Sequence, residues 1–333
     1  MARQAEQVRK LATGLTELPE AEIRRLVEVL NSLREGELAV YVLVACGERA
    51  IPPLREFLLH GRPSVVHEPR RRAVRALAEL GAKDVLVDYL RMPKPIADAA
   101  VRFGEEAVEN AAARALGNWQ TRDAFEVLLE VGRSRVLPGV VEALGRFGRS
   151  EAIPYLIIAL GDDVARRDAE HSLRSLGEES RPALIEAART PDPSRKEESP
   201  SSLARRRSAL RILTSLWPTS EAWPKIQPLL YDEDFEIVIS AAAIALKVRD
   251  TADEKFAIQR LIQVLPHANW FLQSEVESCL LEHFRTGRLL IAREIHRRIQ
   301  APTSEQVKDV ALRVLLSVVR QAEAGPGSGE PKE

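Results

Sequence analysis

The stretch ALGRFGRSEAIPYLIIALGDDVARRDAEHSLRSLGEESRPALIEAA, from Ala143 to Ala188, contains one local pattern twice. A helical segment ends at Gly148 or Gly177, a short turn follows, and a second helical segment carries Pro154 or Pro182 near its start. Proline is tolerated in the first turn of a helix because the N–H groups there have no intrahelical partner. The stretch therefore predicts two consecutive pairs of short helices.

The same pattern recurs along most of the chain. The residues at the position of Gly148 are Gly47, Gly81, Gln120, Gly148, Gly177, Trp217 and, in a weaker copy, Asp250. The shortest interval is 28 residues (148−120) and the longest is 40 (217−177). A unit of this length, built from two helices and repeated with little strand signal, is typical of a solenoid.

Ala143 to Ala188 resembles the HEAT repeat, in the short HEAT-like form known from phycobilisome lyases, and the likeness persists more weakly over 38–265. The resemblance implies stacked antiparallel helix pairs, with the second helix of each pair lining a concave surface. We therefore expect an all-α fold, a right-handed α-α superhelix of about seven to eight HEAT-like helix pairs. We expect one solenoid domain over 1–324, a mobile loop at 190–202 and a disordered tail at 325–333.

The composition limits the function. The 48 basic residues balance 49 acidic ones, whereas dedicated nucleic-acid binders are usually basic overall. The chain begins with polar residues and has no long apolar run, so we expect a cytoplasmic protein without membrane segments. Cys46 and Cys279 are isolated in helical stretches, which gives no metal-binding spacing. We predict no cofactor and no metal.

One helix, RRRAVRALAELG at 70–81, explains the arginine pattern. At 100° per residue, Ala73, Leu77 and Leu80 form the core stripe and Arg70 lies at its edge. Arg71, Arg72 and Arg75 occupy the far side. Arg166 and Arg206 occupy the position of Arg70 in other repeats, and Asp162 and Asp163 precede Arg166. The resemblance implies that Arg70, Arg166 and Arg206 are structural and pair with acids of the turns.

The outward positions predict a basic stripe. Its members are Arg71, Arg75, Arg114, Arg146, Arg167, His171, Arg174, Arg207 and Arg211. If these helices line the concave face, the stripe forms a groove for a protein partner with an acidic surface. Two alternatives remain: a solvated face that binds nothing, and a face that binds nucleic acid through the same arginines.

The hypothesis that the protein is an enzyme has little support in the sequence. HEAT-like hydroxylases hold two irons with several His-Glu dipeptides, whereas this chain has only His67-Glu68. HEAT-like DNA glycosylases use a basic groove with tryptophan and an acid, but Trp119 and Trp217 fall on core or turn positions of the repeat. We predict no catalytic residue. The sequence favours a non-catalytic scaffold, with a lyase-like or glycosylase-like enzyme as the alternative.

Overall fold

The computed structural model of the protein describes residues 18–192, 197–216, 220–248, 251–302, 306 and 308–324. These residues form helices and their connections, and no strand occurs among them. The all-α prediction is confirmed. The chain divides into two compact units, unit 1 up to Leu176 and unit 2 from Gly177. The prediction of a single domain over 1–324 stays a prediction.

Unit 1 consists of two layers of helices. Its helices are α1 (Glu20–Val29), α2 (Gly36–Ala45), α3 (Ile51–His60), α4 (Glu68–Glu79), α5 (Lys83–Arg91), α6 (Ala99–Leu116), α7 (Arg122–Ser134), α8 (Pro138–Phe147), α9 (Ile153–Ala159) and α10 (Arg166–Leu176). The even-numbered helices α2 to α10 pack in succession as layer A, and the odd-numbered helices α1 to α9 pack in succession as layer B. This is the helix-pair arrangement of an α-α solenoid.

Unit 2 continues with helix pairs. Its helices are α11 (Arg181–Arg189), α12 (Pro200–Ser215), α13 (Trp223–Ile226), α14 (Phe235–Val248), α15 (Thr251–Val264), α16 (Trp270–Glu282), α17 (Phe284–Ile299) and α18 (Val310–Ala324). Helices α12, α14, α16 and α18 pack in succession, while α11 packs on α13 and α15 packs on α17. Short 3-10 turns precede α3, α9, α11, α14 and α16.

The backbone confirms the repeat alignment residue by residue. Among the described residues, positive φ occurs at Gly47, Gly81, Gln120, Gly148 and Gly177, with values from 53° to 74°. These are five of the seven positions at which the repeats were aligned, and they include Gln120, which is not glycine. A left-handed residue ends a helix and turns the chain into the next one. The equivalent positions Trp217 and Asp250 lie outside the described residues.

The predicted helix starts and core positions are also found. Pro52, Pro154, Pro182 and Pro224 lie in the first turns of α3, α9, α11 and α13. On α4, the core positions Ala73 and Leu77 are fully buried. Leu80 is only half-buried, because α4 ends at Glu79 and Leu80 already belongs to the turn.

The connection before α12 differs from the prediction. The helix begins at Pro200, inside the predicted loop 190–202, because the Ser199 side chain accepts a hydrogen bond from the backbone N–H of Ser202 and caps it. Residues 193–196 of that loop and the predicted tail 325–333 lie outside the described residues.

Candidate functional site

The predicted basic stripe of unit 1 lies on layer A. Arg71 and Arg75 lie on α4, Arg114 on α6 and Arg146 on α8, and their side chains are 41–44% exposed. Arg167, His171 and Arg174 lie on α10 and are exposed. The helical repeat therefore brings these side chains to one face of the unit, the face turned away from layer B.

Carboxylates of the same face bind most of these arginines. Arg75 donates to Glu37 of α2 at 2.5 Å, and Arg114 donates to Glu142 of α8 at 2.6 Å. Arg146 also donates to Glu142. Hydrogen bonds from Arg75 and then from Arg72 hold the pKa of Glu37 below its usual range. The face is thus a network of ion pairs between neighbouring helices.

Two further pairs form within single helices. Arg71 pairs with Glu68 at 3.0 Å and Arg174 pairs with Glu170 at 3.3 Å. Arg167 has no ion-pair partner within the part of the chain that the structure describes. The stripe is therefore largely neutralised, which the sequence-based interpretation did not anticipate.

Arg72 corrects the helical-wheel prediction, which placed it on the outward side of α4. Its side chain is only 7% exposed. It donates to the backbone oxygens of Leu30 and Ser32 at 2.8 and 2.9 Å, at the end of α1, and to Glu37 at 2.9 Å. Gly36 makes room for it, since a Cβ there would lie 2.2 Å from the Arg72 Nη1 atom. A long side chain can turn back over a neighbouring helix end, and the wheel angle does not record this.

A groove of about 450 Å³ runs between α4 and α6. We call it the α4–α6 groove. Its walls contain the charged residues Glu68, Arg71, Arg72, Arg75, Glu79 and Arg114, together with Val74, Ala78, Ala111, Ala115 and Asn118. Both signs of charge surround a lining of small side chains. Such a groove can accept a protruding side chain of a partner and exchange ion pairs with it.

The predicted structural arginines occupy the helix edges. Arg70 is buried and donates to Glu105 of α6 and to the backbone oxygen of Leu58 at 2.7 Å. Tyr89 donates its hydroxyl to the same carboxylate at 2.5 Å. Burial and the adjacent Glu105 raise the pKa of Tyr89 far above its usual range. Arg166 donates to Leu160 O at 3.0 Å and pairs with Asp163 at 2.5 Å.

The repeat that contains α6 has the opposite charge at this position. Glu109, which is 1% exposed, occupies the place of Arg70 and binds Lys94 at 3.0 Å and Arg135 at 2.5 Å. Burial lowers the pKa of Lys94. Lys94 also donates to the backbone oxygens of Tyr89 and Met92. Sequence reasoning missed this cluster because its members come from three separate segments.

In unit 2, Arg206 and the remaining stripe residues are also paired. Arg206 is buried and binds Ala188 O at 2.9 Å, Glu198 at 2.6 Å and Asp232. Arg207 donates to Asp234 and contacts Glu236 at 3.2 Å. Arg211 lies 3.8 Å from Glu236 and donates to the Ser208 hydroxyl at 3.0 Å. A stripe continuous between the two units stays a prediction.

The residues considered for the enzymatic alternatives have the following surroundings. Within the described residues there is no group of three or more histidine, cysteine, aspartate or glutamate residues arranged to hold a metal. His67 contacts the backbone oxygen of Val65 through Nδ1. Trp119 is half-buried in the turn after α6, as its predicted turn position requires, and Trp217 lies outside the described residues. None of the helices described has the length and apolar character needed to cross a membrane.

Comparisons with known proteins agree with the repeat pattern. Residues 93–177 match the family model described as HEAT repeats. No curated protein sequence matches the chain. The repeat unit predicted from the sequence is therefore a HEAT-type unit over this part of the chain.

Similar solved structures include an engineered protein with 17% identity and a TM-score of 0.35, covering 95% of each chain. Another is the complex of CpcE and CpcF of phycocyanin lyase from Nostoc sp. PCC7120, with 17% identity, a TM-score of 0.34 and coverage of 72% of this chain and 94% of that one. A second engineered protein has 19% identity and a TM-score of 0.27, covering 80% and 97%. The family match over 93–177 confirms the resemblance predicted from the sequence, and this part of the protein consists of HEAT repeats.

Proposed function

We propose that the protein is a non-catalytic HEAT-repeat scaffold that binds a protein partner through the layer A face of unit 1, centred on the α4–α6 groove. The observation that carries this proposal is the pairing of opposite charges across that face. Arg75 with Glu37 and Arg114 with Glu142 place a cation opposite a carboxylate at two helix boundaries, α2–α4 and α6–α8.

A face of alternating charge suits a protein better than a phosphate backbone. Glu37, Glu68, Glu79 and Glu142 would lie against a polyanion and repel it. The guanidinium groups of Arg75 and Arg114 already donate to carboxylates. A protein partner can offer both signs of charge and exchange these pairs one for one. The nucleic-acid alternative through this stripe is therefore the weaker one.

Exposed apolar side chains lie beside the paired charges. Leu38 and Tyr41, one turn apart on α2, are each 64% exposed. Tyr41 lies one turn after Glu37 on α2, and Glu37 accepts the hydrogen bond of Arg75 that raises the pKa of that arginine. Tyrosine is enriched among residues that dominate protein interfaces. Exposed ion pairs contribute about 0–1 kcal/mol each, so we expect Tyr41 and Leu38 to contribute most of the affinity.

Site-specific photo-crosslinking in the native cell tests the proposal. A photoreactive amino acid replaces Tyr41 in one variant and Ile158 in the control. Ile158 is similarly exposed, at 59%, but lies on α9 of layer B. The expected result is one protein cross-linked reproducibly from position 41 and absent from position 158. Adding Arg75→Glu should remove that product.

Two cross-linking results would contradict the proposal. Identical products from both positions, or nucleic acid recovered from position 41, would contradict a protein-binding face on layer A. With the partner in hand, Tyr41→Ala should weaken binding by about 2 kcal/mol, roughly thirtyfold.

A further inference from the structure

Positive charge is concentrated at the end of unit 2. Between 284 and 324 the basic residues are Arg285, Arg288, Arg293, Arg297, Arg298, Lys308, Arg313 and Arg320, and the acidic residues are Glu294, Glu305, Asp309 and Glu323. The segment therefore carries 8−4 = +4, while the whole chain carries −1. Charge asymmetry of this kind indicates an anionic partner for one part of the chain.

The arginines of α17 that face solvent share one side of the helix. At 100° per residue, Arg285, Arg288, Arg293 and His296 fall within an arc of about 140°. All four are exposed. Glu294 lies about 180° from Arg285 on the same wheel and binds Arg297 and Arg298 at 2.6 and 2.7 Å. The outward arc of α17 therefore carries cations and no carboxylate.

These arginines differ from the paired arginines of the unit 1 stripe, such as Arg75 and Arg114, in having no counter-charge. Arg285, Arg288 and Arg293 make no ion pair and no side-chain hydrogen bond with any residue the structure describes. An unpaired guanidinium keeps all its donors for a ligand and needs no internal pair to be broken before it binds. The outward arc of α17 is thus better prepared for an anion than the predicted stripe.

The neighbouring helix adds no acid to this surface. A groove of about 810 Å³ separates α15 from α17, with Gln259 and Gln263 on one wall and Arg293 and His296 on the other. Glu294 also lines this groove, but Arg297 and Arg298 neutralise it. The acids of α15 are engaged elsewhere. Asp253 accepts from Trp223 and Gln227 at 2.7 and 2.9 Å, and Glu254 contacts His283 at 3.2 Å.

We propose that the α15–α17 surface binds the phosphate backbone of duplex DNA without reading its sequence. Arg285 and Arg293 lie 8 residues apart, about 12 Å along the helix axis, with Arg288 between them, so the three unpaired guanidinium groups form a row suited to successive phosphates. Arginine grips phosphate bidentately, and glutamine is a common phosphate donor. The surface belongs to a different unit from the proposed protein-binding face, so the two proposals stand or fall separately.

Other anionic partners fit this surface less well. Single strands are usually bound by stacking bases on aromatic side chains, and no exposed aromatic residue occurs among the described residues of α15 and α17. The same lack of an aromatic anchor disfavours an acidic peptide. Insertion into an anionic membrane needs a continuous apolar helix side, but α17 buries Gly287 and Ile291, and its exposed large apolar side chains, Leu289 and Ile299, lie ten residues apart.

Fluorescence anisotropy with a labelled duplex of about 20 base pairs and arbitrary sequence tests the proposal, using the full chain. Three phosphate contacts predict a slope near −2.7 for log K against log salt, which is about a 40-fold loss of affinity from 50 to 200 mM salt. The variant is Arg285→Glu, Arg288→Glu and Arg293→Glu combined. We expect it to bind at least about tenfold more weakly than the unmodified protein.

A matched control removes the effect of net charge. Arg62→Glu, Arg102→Glu and Arg133→Glu combined changes the charge by the same −6, at exposed positions of unit 1 that also lack ion pairs among the described residues. Circular dichroism verifies that both variants fold. Loss confined to the α17 variant supports the proposal. Equal loss in both variants, no binding at 50 mM salt, or tighter binding to single-stranded DNA, polyglutamate or phosphatidylserine vesicles would overturn it.

Discussion

Replacing Glu105 with glutamine should lower the free energy of unfolding by about 3 kcal/mol, the lower end of the range for breaking a buried ion pair. The Glu105 side chain is 3% exposed and the Arg70 side chain 7% exposed. Glu105 accepts hydrogen bonds from Arg70 and from the Tyr89 hydroxyl. The substitution removes the negative charge and leaves the arginine buried without its counter-ion.

We expect a cost at the lower end of that range because Arg70 keeps other contacts after the substitution. Arg70 keeps its hydrogen bond to the backbone oxygen of Leu58, and its guanidinium stays 5.4 Å from the Tyr89 ring centre. Arg70 and Tyr89 donate to the two different oxygens of Glu105. In the glutamine variant one of these oxygens becomes an NH2 group, which cannot accept, so one of the two donors loses its acceptor. Glu109 cannot compensate, because Lys94 and Arg135 already bind it.

Urea unfolding followed by far-UV circular dichroism measures the effect. Glu106→Gln is the matched control, because Glu106 is the next residue of α6 and has no ion pair among the described residues. It should change stability by less than about 0.5 kcal/mol. Arg70→Met combined with Glu105→Leu should recover much of the loss, because no unpaired charge remains. A cost below about 1 kcal/mol for Glu105→Gln would refute the reasoning.

Three more predictions follow from the backbone and from single contacts. Gly81→Ala should lower the free energy of unfolding by about 1 kcal/mol because φ is +74°, although nothing lies within 4 Å of the added Cβ. Gln120→Gly should instead raise the free energy of unfolding by about 0.5 kcal/mol, since φ there is also positive. The midpoints of urea unfolding measure both effects. Burial raises the pKa of Cys279 to about 11 from 9.0, so near neutral pH its alkylation, followed by mass spectrometry, should be about a hundredfold slower than in the urea-unfolded chain. Asp253→Ala removes the acceptor of the Trp223 ring N–H at 2.7 Å and should cost about 1–2 kcal/mol in urea unfolding, whereas Asp253→Asn should cost less because it keeps an acceptor oxygen.

The architecture could be predicted because the repeat imposes the same local requirement many times. Each helix pair needs a left-handed residue at its turn, an early proline or an equivalent start, and a stripe of alanine and leucine. Gln120 shows how strong this periodic signal is. It lacks the glycine that the position favours, yet alignment of the repeats placed it there and its φ is +53°. Its side chain donates to the Gly117 oxygen at 2.7 Å, which helps hold the turn.

The charge state of the stripe could have been inferred, because its partners lie one repeat away. Arg75 and Glu37 are 38 residues apart, and Arg114 and Glu142 are 28 apart. Both separations fall within the range of repeat intervals. Residues at equivalent places of successive repeats are neighbours in space. A search for acids at an offset of one repeat would have predicted a neutralised face. Considering each arginine alone predicted a basic one.

The length of the arginine side chain explains why the helical wheel misplaced Arg72. The position of Arg72 on the wheel is outward, but its guanidinium reaches the end of α1 beneath Gly36. The arginines of α17 escaped the repeat-based interpretation for another reason. The repeat likeness fades after about residue 265, so no equivalent positions drew attention to their common side.

Glu109 shows what a charged side chain requires at the position of Arg70. Arg70, Arg166 and Arg206 suggest a need for arginine, and by that measure Glu109 is a mismatch. Arg70 and Glu109 show that either sign of charge is accepted there when groups from adjacent segments neutralise it, whereas Leu137, at the same position of the next repeat, is apolar and buried. Burial penalises any unpaired charge whatever its sign, so the sign can reverse if the partners reverse with it. Lys94 comes from the connection 92–98 before α6, and Arg135 comes from the turn before α8. The charge at this helix edge and the charges of its partners are therefore reversed together.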